Sequence, residues 1–250
     1  MEKVFFKNSR NLRLVGDFYS SASKPVIIMC HGFTGDKSES GRFETAAEAF
    51  NKNGYNVLNF DFSGSGESDD DSLTVAKQVD DLESAIKYIQ NKGMNNIALL
   101  GLSLGGLVSL KVYNKQIKTM VLWAPVTDKI NYSWDKRYSK QELEELGEKG
   151  YITLTKNRKW RAKMIIDRQM LKDREEVDQE SLCSRIKCPV LIVHGDRDDR
   201  VPLQDSKNAI KYLPRKSKLE IIKGADHQFQ DKLGEFIDLS VSWFKTYLPR

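Results

Sequence analysis

Ile97-Ala98-Leu99-Leu100-Gly101-Leu102-Ser103-Leu104-Gly105-Gly106 decides how this chain folds. The first four residues read as a buried strand, and the residues after Ser103 open a helix running toward Val112. Strand and helix meet at a G-x-S-x-G turn. So tight a turn puts its serine in strained backbone geometry. Gly101 and Gly105 remove side chains that would collide with the neighbouring strand and helix. The Ser103 hydroxyl then stands at a helix N-terminus, where the dipole favours negative charge. Strand, sharp turn and helix together read Ser103 as a nucleophile; the plain alternative is a serine in an ordinary turn.

Outward from this turn, short apolar runs alternate with helical patterns. The strand-like runs are Val4–Lys7, Leu12–Tyr19, Val26–Cys30, Val57–Phe60, Ile97–Leu102, Met120–Trp123, Val190–His194 and Leu219–Ile222. From Val26 onward they are continuous rather than alternating, as in a parallel sheet covered on both faces. The first two, joined at Ser9-Arg10-Asn11, look like an antiparallel edge hairpin. Val75, Val79, Leu82, Ile86 and Ile89 draw one apolar helical stripe. Phe229, Leu233, Phe236, Val241, Phe244 and Leu248 draw another at the end of the chain, and residues 42–53 and 204–212 are shorter helix candidates. The alternation predicts an α/β, doubly wound, mostly parallel sheet with right-handed crossovers.

One stretch breaks the rhythm. Residues 128–185 show no convincing strand but hold charged helical segments at Gln141–Lys149, Lys159–Lys172 and Glu176–Ser184. A passive loop of this length is uncommon, so the stretch reads as an inserted, mainly helical cap. Residues 1–127 and 186–250 would then form the core. Tyr132, Trp134 and Trp160 are aromatic candidates for the substrate-binding wall, with Met164 and Met170 near Trp160.

Composition narrows the function classes. The 40 basic and 35 acidic residues of the 250 leave a net charge of +5 without a dense basic block, which argues against nucleic acid. No apolar run approaches the ~18 residues of a membrane span, so no membrane partner is expected. Cys30, Cys183 and Cys188 are odd in number and without C-x-x-C spacing. They argue against a disulfide framework or zinc site and for a reducing, cytoplasmic setting. Gly64-Ser65-Gly66 follows a strand, but Asp69 stands where a dinucleotide fingerprint needs its third glycine.

A serine hydroxyl needs a base to become a nucleophile. Of the three histidines, His31 and His194 end apolar strands and read as loop supports. His227, in Gly224-Ala225-Asp226-His227, follows the last strand, on the sheet edge that carries Ser103. The base needs a carboxylate on its other nitrogen. Asp196, Asp198 and Asp199 crowd the loop after Val190–His194, and spacing alone does not choose among them. The developing oxyanion needs N–H donors, for which the backbone of Leu104 and of Phe33, in His31-Gly32-Phe33-Thr34-Gly35, are placed.

H-G-F-T-G, D-F-S-G-S-G-E-S, G-L-S-L-G-G, H-G-D-R-D-D-R-V-P and G-A-D-H occur in this order along the chain. Together they resemble an α/β-hydrolase over nearly the whole length. That resemblance implies the order Ser, acid, His, hence a Ser103, Asp198, His227 triad. Its G-x-x-D-x-x-V-P pattern falls on Gly195, Asp198, Val201 and Pro202. It also implies that the turn of Asp61, Gly64, Gly66 and Ser68 is structural. H-G-F-T-G with a cap is similar to bacterial cinnamoyl and feruloyl esterases, and to hydrolase domains related to acylaminoacyl and prolyl oligopeptidases. Leu102 and Leu104 stand where the cinnamoyl esterase turn has histidine and glutamine, and Ser63 replaces a frequent arginine. The expected activity is hydrolysis of small aryl or acyl esters such as feruloyl esters through an acyl-enzyme, without metal or organic cofactor. The expected partner is a small-molecule ester, and a homodimer is compatible with the sequence. The rivals are a serine peptidase, which in this resemblance carries a propeller that 250 residues leave no room for, and a non-catalytic binding protein on the same fold.

Overall fold

The structure is a computed structural model describing residues 1–155, 161–229 and 231–250. In chain order its elements are β1 (Glu2–Lys7), β2 (Arg13–Tyr19), β3 (Val26–Cys30), α1 (Arg42–Lys52), β4 (Asn56–Phe60), β5 (Ser72–Leu73), α2 (Val75–Asn91), β6 (Ile97–Leu102), α3 (Leu104–Val112) and β7 (Ile117–Trp123). There follow α4 (Lys140–Lys149), β8 (Tyr151–Thr155), β9 (Lys163–Asp167), α5 (Arg168–Glu175), α6 (Gln179–Ser184), β10 (Val190–Gly195), α7 (Leu203–Ala209), β11 (Lys218–Ile222) and α8 (Leu233–Tyr247).

The main sheet has the order β1-β2-β4-β3-β6-β7-β10-β11. β1 pairs antiparallel with β2, and β2 antiparallel with β4. All later neighbours are parallel. Continuous apolar runs are buried because both faces are covered. Val26, Ile28 and Cys30 join the core under α2 and α3, while Ile27 and Met29 join the core under α1 and α8. α3 is apolar almost all round and correspondingly buried, as a helix wedged between layers must be. The chain leaves β3 toward β4 on one side and returns through α2 to β6 on the other. Such a reversal opens a crevice at the carboxyl ends of the strands, between the loops after β3 and β6.

The expected apolar stripe of α2 is present, with Val75, Leu82, Ile86 and Ile89 buried, and Thr74 Oγ1 caps it by accepting from Lys77 N at 3.1 Å. Phe229, counted in the last helical stripe, lies instead in the turn before α8, with φ 57°.

Residues 128–185 depart from the reading as a stretch without strands. β8 and β9 form an antiparallel hairpin, and β9 also pairs parallel with β5. The helix expected over Lys159–Lys172 is therefore wrong in its first half among the described residues: β9 precedes α5, capped by the Asp167 carboxylate. The cause is local. Met164 and Ile166 alternate inward along Lys163–Asp167, and the β-branched pair Ile165-Ile166 favours a pleated surface. The other two helices form as α4, closed by a Ser139/Glu142 capping box and by Gly150 at φ 82°, and as α6. Asp173 Oδ2 accepts from Val75 N at 3.1 Å and ties the segment to α2.

Candidate active site

Ser103 sits at φ 53°, ψ −116°, a region that costs about 1–3 kcal/mol for a residue with a side chain. Hydrogen bonds hold it there: Ser103 N donates to Trp123 O at 2.9 Å, and Ser103 O accepts from Gly106 N at 3.0 Å and Val126 N at 2.9 Å. The flanking glycines are required for space. A Cβ on Gly105 would stand 2.1 Å from Cys30 O, and one on Gly101 would stand 2.5 Å from Gly105 O. The turn thus presses β6, α3 and the end of β3 together and leaves the hydroxyl at the rim.

Asp198 and His227 meet on that rim. His227 Nδ1 lies 2.7 Å from Asp198 Oδ2. The other oxygen, Oδ1, accepts from the N–H of Arg200 at 2.9 Å and of Val201 at 2.8 Å. Burial alone would raise this carboxyl. Hydrogen bonds from His194 and His227, the His227 charge and the Val201 N–H outweigh burial and hold it well below the usual carboxylate range. The neighbouring carboxylates do other work: Asp196 Oδ1 accepts from Gly224 N at 2.6 Å, and Asp199 is exposed.

Ser103, His227, Phe33 and Leu104 all line one cleft, with about 1180 Å³ of empty space including its open mouth. Among the described residues no hydrogen bond joins the Ser103 hydroxyl to His227, and such bonds often tighten only when substrate is bound. The N–H groups of Phe33 and Leu104 donate to no described residue and remain available. Tyr132 and Trp134 line the same cleft, while Trp160 lies outside the described residues.

Several further residues brace the cleft, and two of them, Glu39 and Arg42, belong to no sequence motif. Glu39, 9% exposed, accepts from Gly32 N at 2.7 Å and pairs with Arg42 at 2.7 Å. Arg42 also donates to Gln228 O at 3.0 Å, so the loop after β3 is tied to the loop carrying His227. His31 supports the same loop, with Nδ1 2.9 Å from Gly32 O and Nε2 accepting from Phe62 N at 3.2 Å. His194 does more than support its own loop. Its Nε2 lies 3.2 Å from Asp198 Oδ2 and 3.1 Å from Val201 O, while Nδ1 lies 2.8 Å from Ser206 Oγ. Two acceptors on one nitrogen and a hydroxyl on the other fix the Nε2–H tautomer. Asp61 is a brace, with Oδ1 accepting from Lys37 N at 2.7 Å and Oδ2 from Glu67 N at 2.9 Å.

The fold and the strained Ser103 turn define an α/β hydrolase. The chain belongs to the family described as serine aminopeptidase, S33, which matches residues 21–183. Thiohydrolase aneE of Aspergillus aculeatus is 30% identical over 135 residues, half of this chain and 42% of that protein. Among solved structures, the α/β hydrolase GrgF from Penicillium sp. sh18 superimposes with a TM-score of 0.83 at 18% identity, covering 100% of this chain and 99% of that one. Est1E from Butyrivibrio proteoclasticus, solved with ferulic acid bound, reaches 0.80 at 20% identity, covering 99% and 100%. At such identities the structures establish a shared fold. No described helix is long and apolar enough to cross a membrane.

Proposed function

We propose that the protein is a serine carboxylic-ester hydrolase in which Ser103, His227 and Asp198 act as nucleophile, base and orienting acid. The observation that carries this reading is the strained Ser103 turn opening into the same cleft as a His227 imidazole bonded to a buried carboxylate. Asp198 on Nδ1 leaves His227 Nε2 free to take the Ser103 proton as the hydroxyl attacks an acyl carbonyl. The N–H groups of Phe33 and Leu104 would stabilise the oxyanion, each worth about 3–4 kcal/mol in the barrier. The imidazolium protonates the leaving alcohol, and water activated by the same histidine hydrolyses the acyl-enzyme.

Residues 128–185 act as the cap that shapes the cleft over a core of 1–127 and 186–250. Phe33, Tyr132, Trp134, Tyr138 and Met170 wall the cleft, which suits a small aryl or acyl ester of the feruloyl kind. Peptide hydrolysis is the second reading, favoured by the family's description. An aminopeptidase must hold a protonated amine, however, and Arg137 and Arg174 in this cleft repel one.

A panel of p-nitrophenyl esters and aminoacyl p-nitroanilides, assayed with Ser103→Ala as control, tests both readings. We expect ester turnover that Ser103→Ala lowers about 10⁴-fold or more. Preference for anilides would turn the reading to the peptidase. Absence of turnover and of fluorophosphonate labelling would turn it to a binding protein.

A further inference from the structure

The cleft carries more positive charge than its own carboxylates balance. Arg42 is paired with Glu39, but Arg137 and Arg174 line the same space without a carboxylate within 4 Å among the described residues. Arg174, half-buried, donates to Asp128 O at 3.2 Å. The carboxylates of Asp128 and Asp205 act on it only from beyond ion-pair distance. Burial pushes the Arg174 guanidinium down to about 10, as expected of a charge held without a close counter-ion. Arg137 lies over the Phe33 ring at 5.0 Å and donates to the Tyr132 hydroxyl at 3.5 Å.

A second observation falls in the same place. Tyr138 is 5% exposed and lines the cleft, yet its hydroxyl has no hydrogen-bond partner among the described residues. Arg137 lies near it without hydrogen-bond geometry. An orphaned buried hydroxyl is costly, and so is a half-buried charge without a close counter-ion. Both costs vanish if a ligand supplies the acceptor. Guanidinium is suited to this, because its planar fork matches a carboxylate in two parallel hydrogen bonds. Asp205 shares the cleft and disfavours a doubly charged ligand such as a phosphate monoester.

We propose that Arg174, with Arg137 and the Tyr138 hydroxyl, binds a carboxylate of the substrate, so that the natural substrate is an acidic ester. This rests on the ester hydrolase reading, which names the bond that is cut. The carboxylate can belong to the acyl or to the alcohol part.

Two matched pairs test it. The p-nitrophenyl monoester of glutaric acid is compared with p-nitrophenyl pentanoate, and 4-carboxyphenyl butyrate with phenyl butyrate. We expect kcat/KM to favour the acid at least tenfold in one pair. Arg174→Gln should bring that ratio near one, chiefly through KM, and the exposed Arg137→Gln should reduce it should Arg174→Gln not fold. Equal rates within both pairs, or a ratio that neither variant changes, overturn the proposal while leaving the esterase standing. Should no ester be hydrolysed, the hydrolase reading fails separately. The site is then read by calorimetric titration of glutarate into the unaltered protein. Binding that Arg174→Gln or Arg137→Gln weakens at least tenfold supports the carboxylate site, and no binding overturns it.

Discussion

Replacing Asp198 by asparagine separates the chemistry of the site from its folding. Asp198 accepts four hydrogen bonds: two imidazole N–H groups at Oδ2 and two backbone N–H groups at Oδ1. An amide can accept on one side only. The backbone donors of Arg200 and Val201 cannot change, whereas both imidazoles can move their proton to the other ring nitrogen. The amide oxygen will therefore face the backbone and its NH2 group the two histidines. His194 can then donate from Nδ1 to Ser206 Oγ, giving up its bond to Val201 O. His227 is left with its proton on Nε2, where it cannot act as base. The same exchange in another Ser-His-Asp triad lowers kcat about 10⁴-fold, roughly 5 kcal/mol of barrier. Folding loses somewhat less, because all four bonds turn from charge-assisted to neutral, a difference of about 1 kcal/mol each. We expect kcat for p-nitrophenyl butyrate to fall by about 10⁴ while unfolding free energy falls by about 4 kcal/mol at pH 7. The native pKa of Asp198 is lowered, so its contribution is present above about pH 4 and fades as pH falls. The stability gap between wild type and variant should accordingly narrow below about pH 4. Asp196→Asn and Asp199→Asn serve as controls that keep activity. A kcat for Asp198→Asn within tenfold of wild type would refute the assignment of the acid.

Two further outcomes follow from geometry and charge. Gly105→Ala places a Cβ 2.1 Å from Cys30 O and should cost about 3 kcal/mol in denaturant unfolding, whereas Gly147→Ala, with nothing within 4 Å, should not destabilise; equal stability of the two would show that β3 yields at its end. Asp205 is pushed up to about 6 by burial and by the Asp128 charge, against the pull of His194 and Arg174. A raised native pKa means that the folded state holds the proton more tightly, so stability falls as pH rises from about 4 to about 6. Asp205→Asn should therefore raise the melting temperature at about pH 7.5 and leave it nearly unchanged at about pH 4, which a thermal melt at both values checks.

Much of this fold is legible because its strands are buried on both faces. Val26–Cys30 and Ile97–Leu102 need no amphipathic pattern and show none. The helices between them announce themselves through one apolar stripe each, as in α2. The misreading of Lys163–Asp167 has the opposite cause. Its five residues carry a weak period-two signal amid charged neighbours, and its partners are β8 and β5, the latter far away in sequence and only two residues long. Pairing across such a distance leaves no mark on either segment.

The site divides along the same line. Ser103 is readable because a local steric demand writes glycines on both sides of it, at positions where Cβ atoms would meet Gly105 O and Cys30 O. Spacing leaves Asp196, Asp198 and Asp199 equivalent, and only the family pattern selects one. What separates them in the structure is which carboxylate turns inward to the imidazoles, a property of the loop's backbone. Glu39, Arg42 and Arg174 belong to none of the motifs, and each acts on a group that no motif links to it. Arg42 reaches Gln228 from 186 positions away. Such cross-braces are chosen by where loops converge, and convergence at the edge of the sheet follows from strand order rather than from any short motif. Arg174 is the clearest case. In its sequence context, Lys172-Asp173-Arg174-Glu175-Glu176, nothing marks it out among its charged neighbours. Only the packing of α5 over the cleft makes it a cation facing the same space as Ser103. The side chains proposed to choose the substrate thus lie in the segment whose sequence says least, while Ser103 lies at the end of a core strand, where steric necessity leaves a trace.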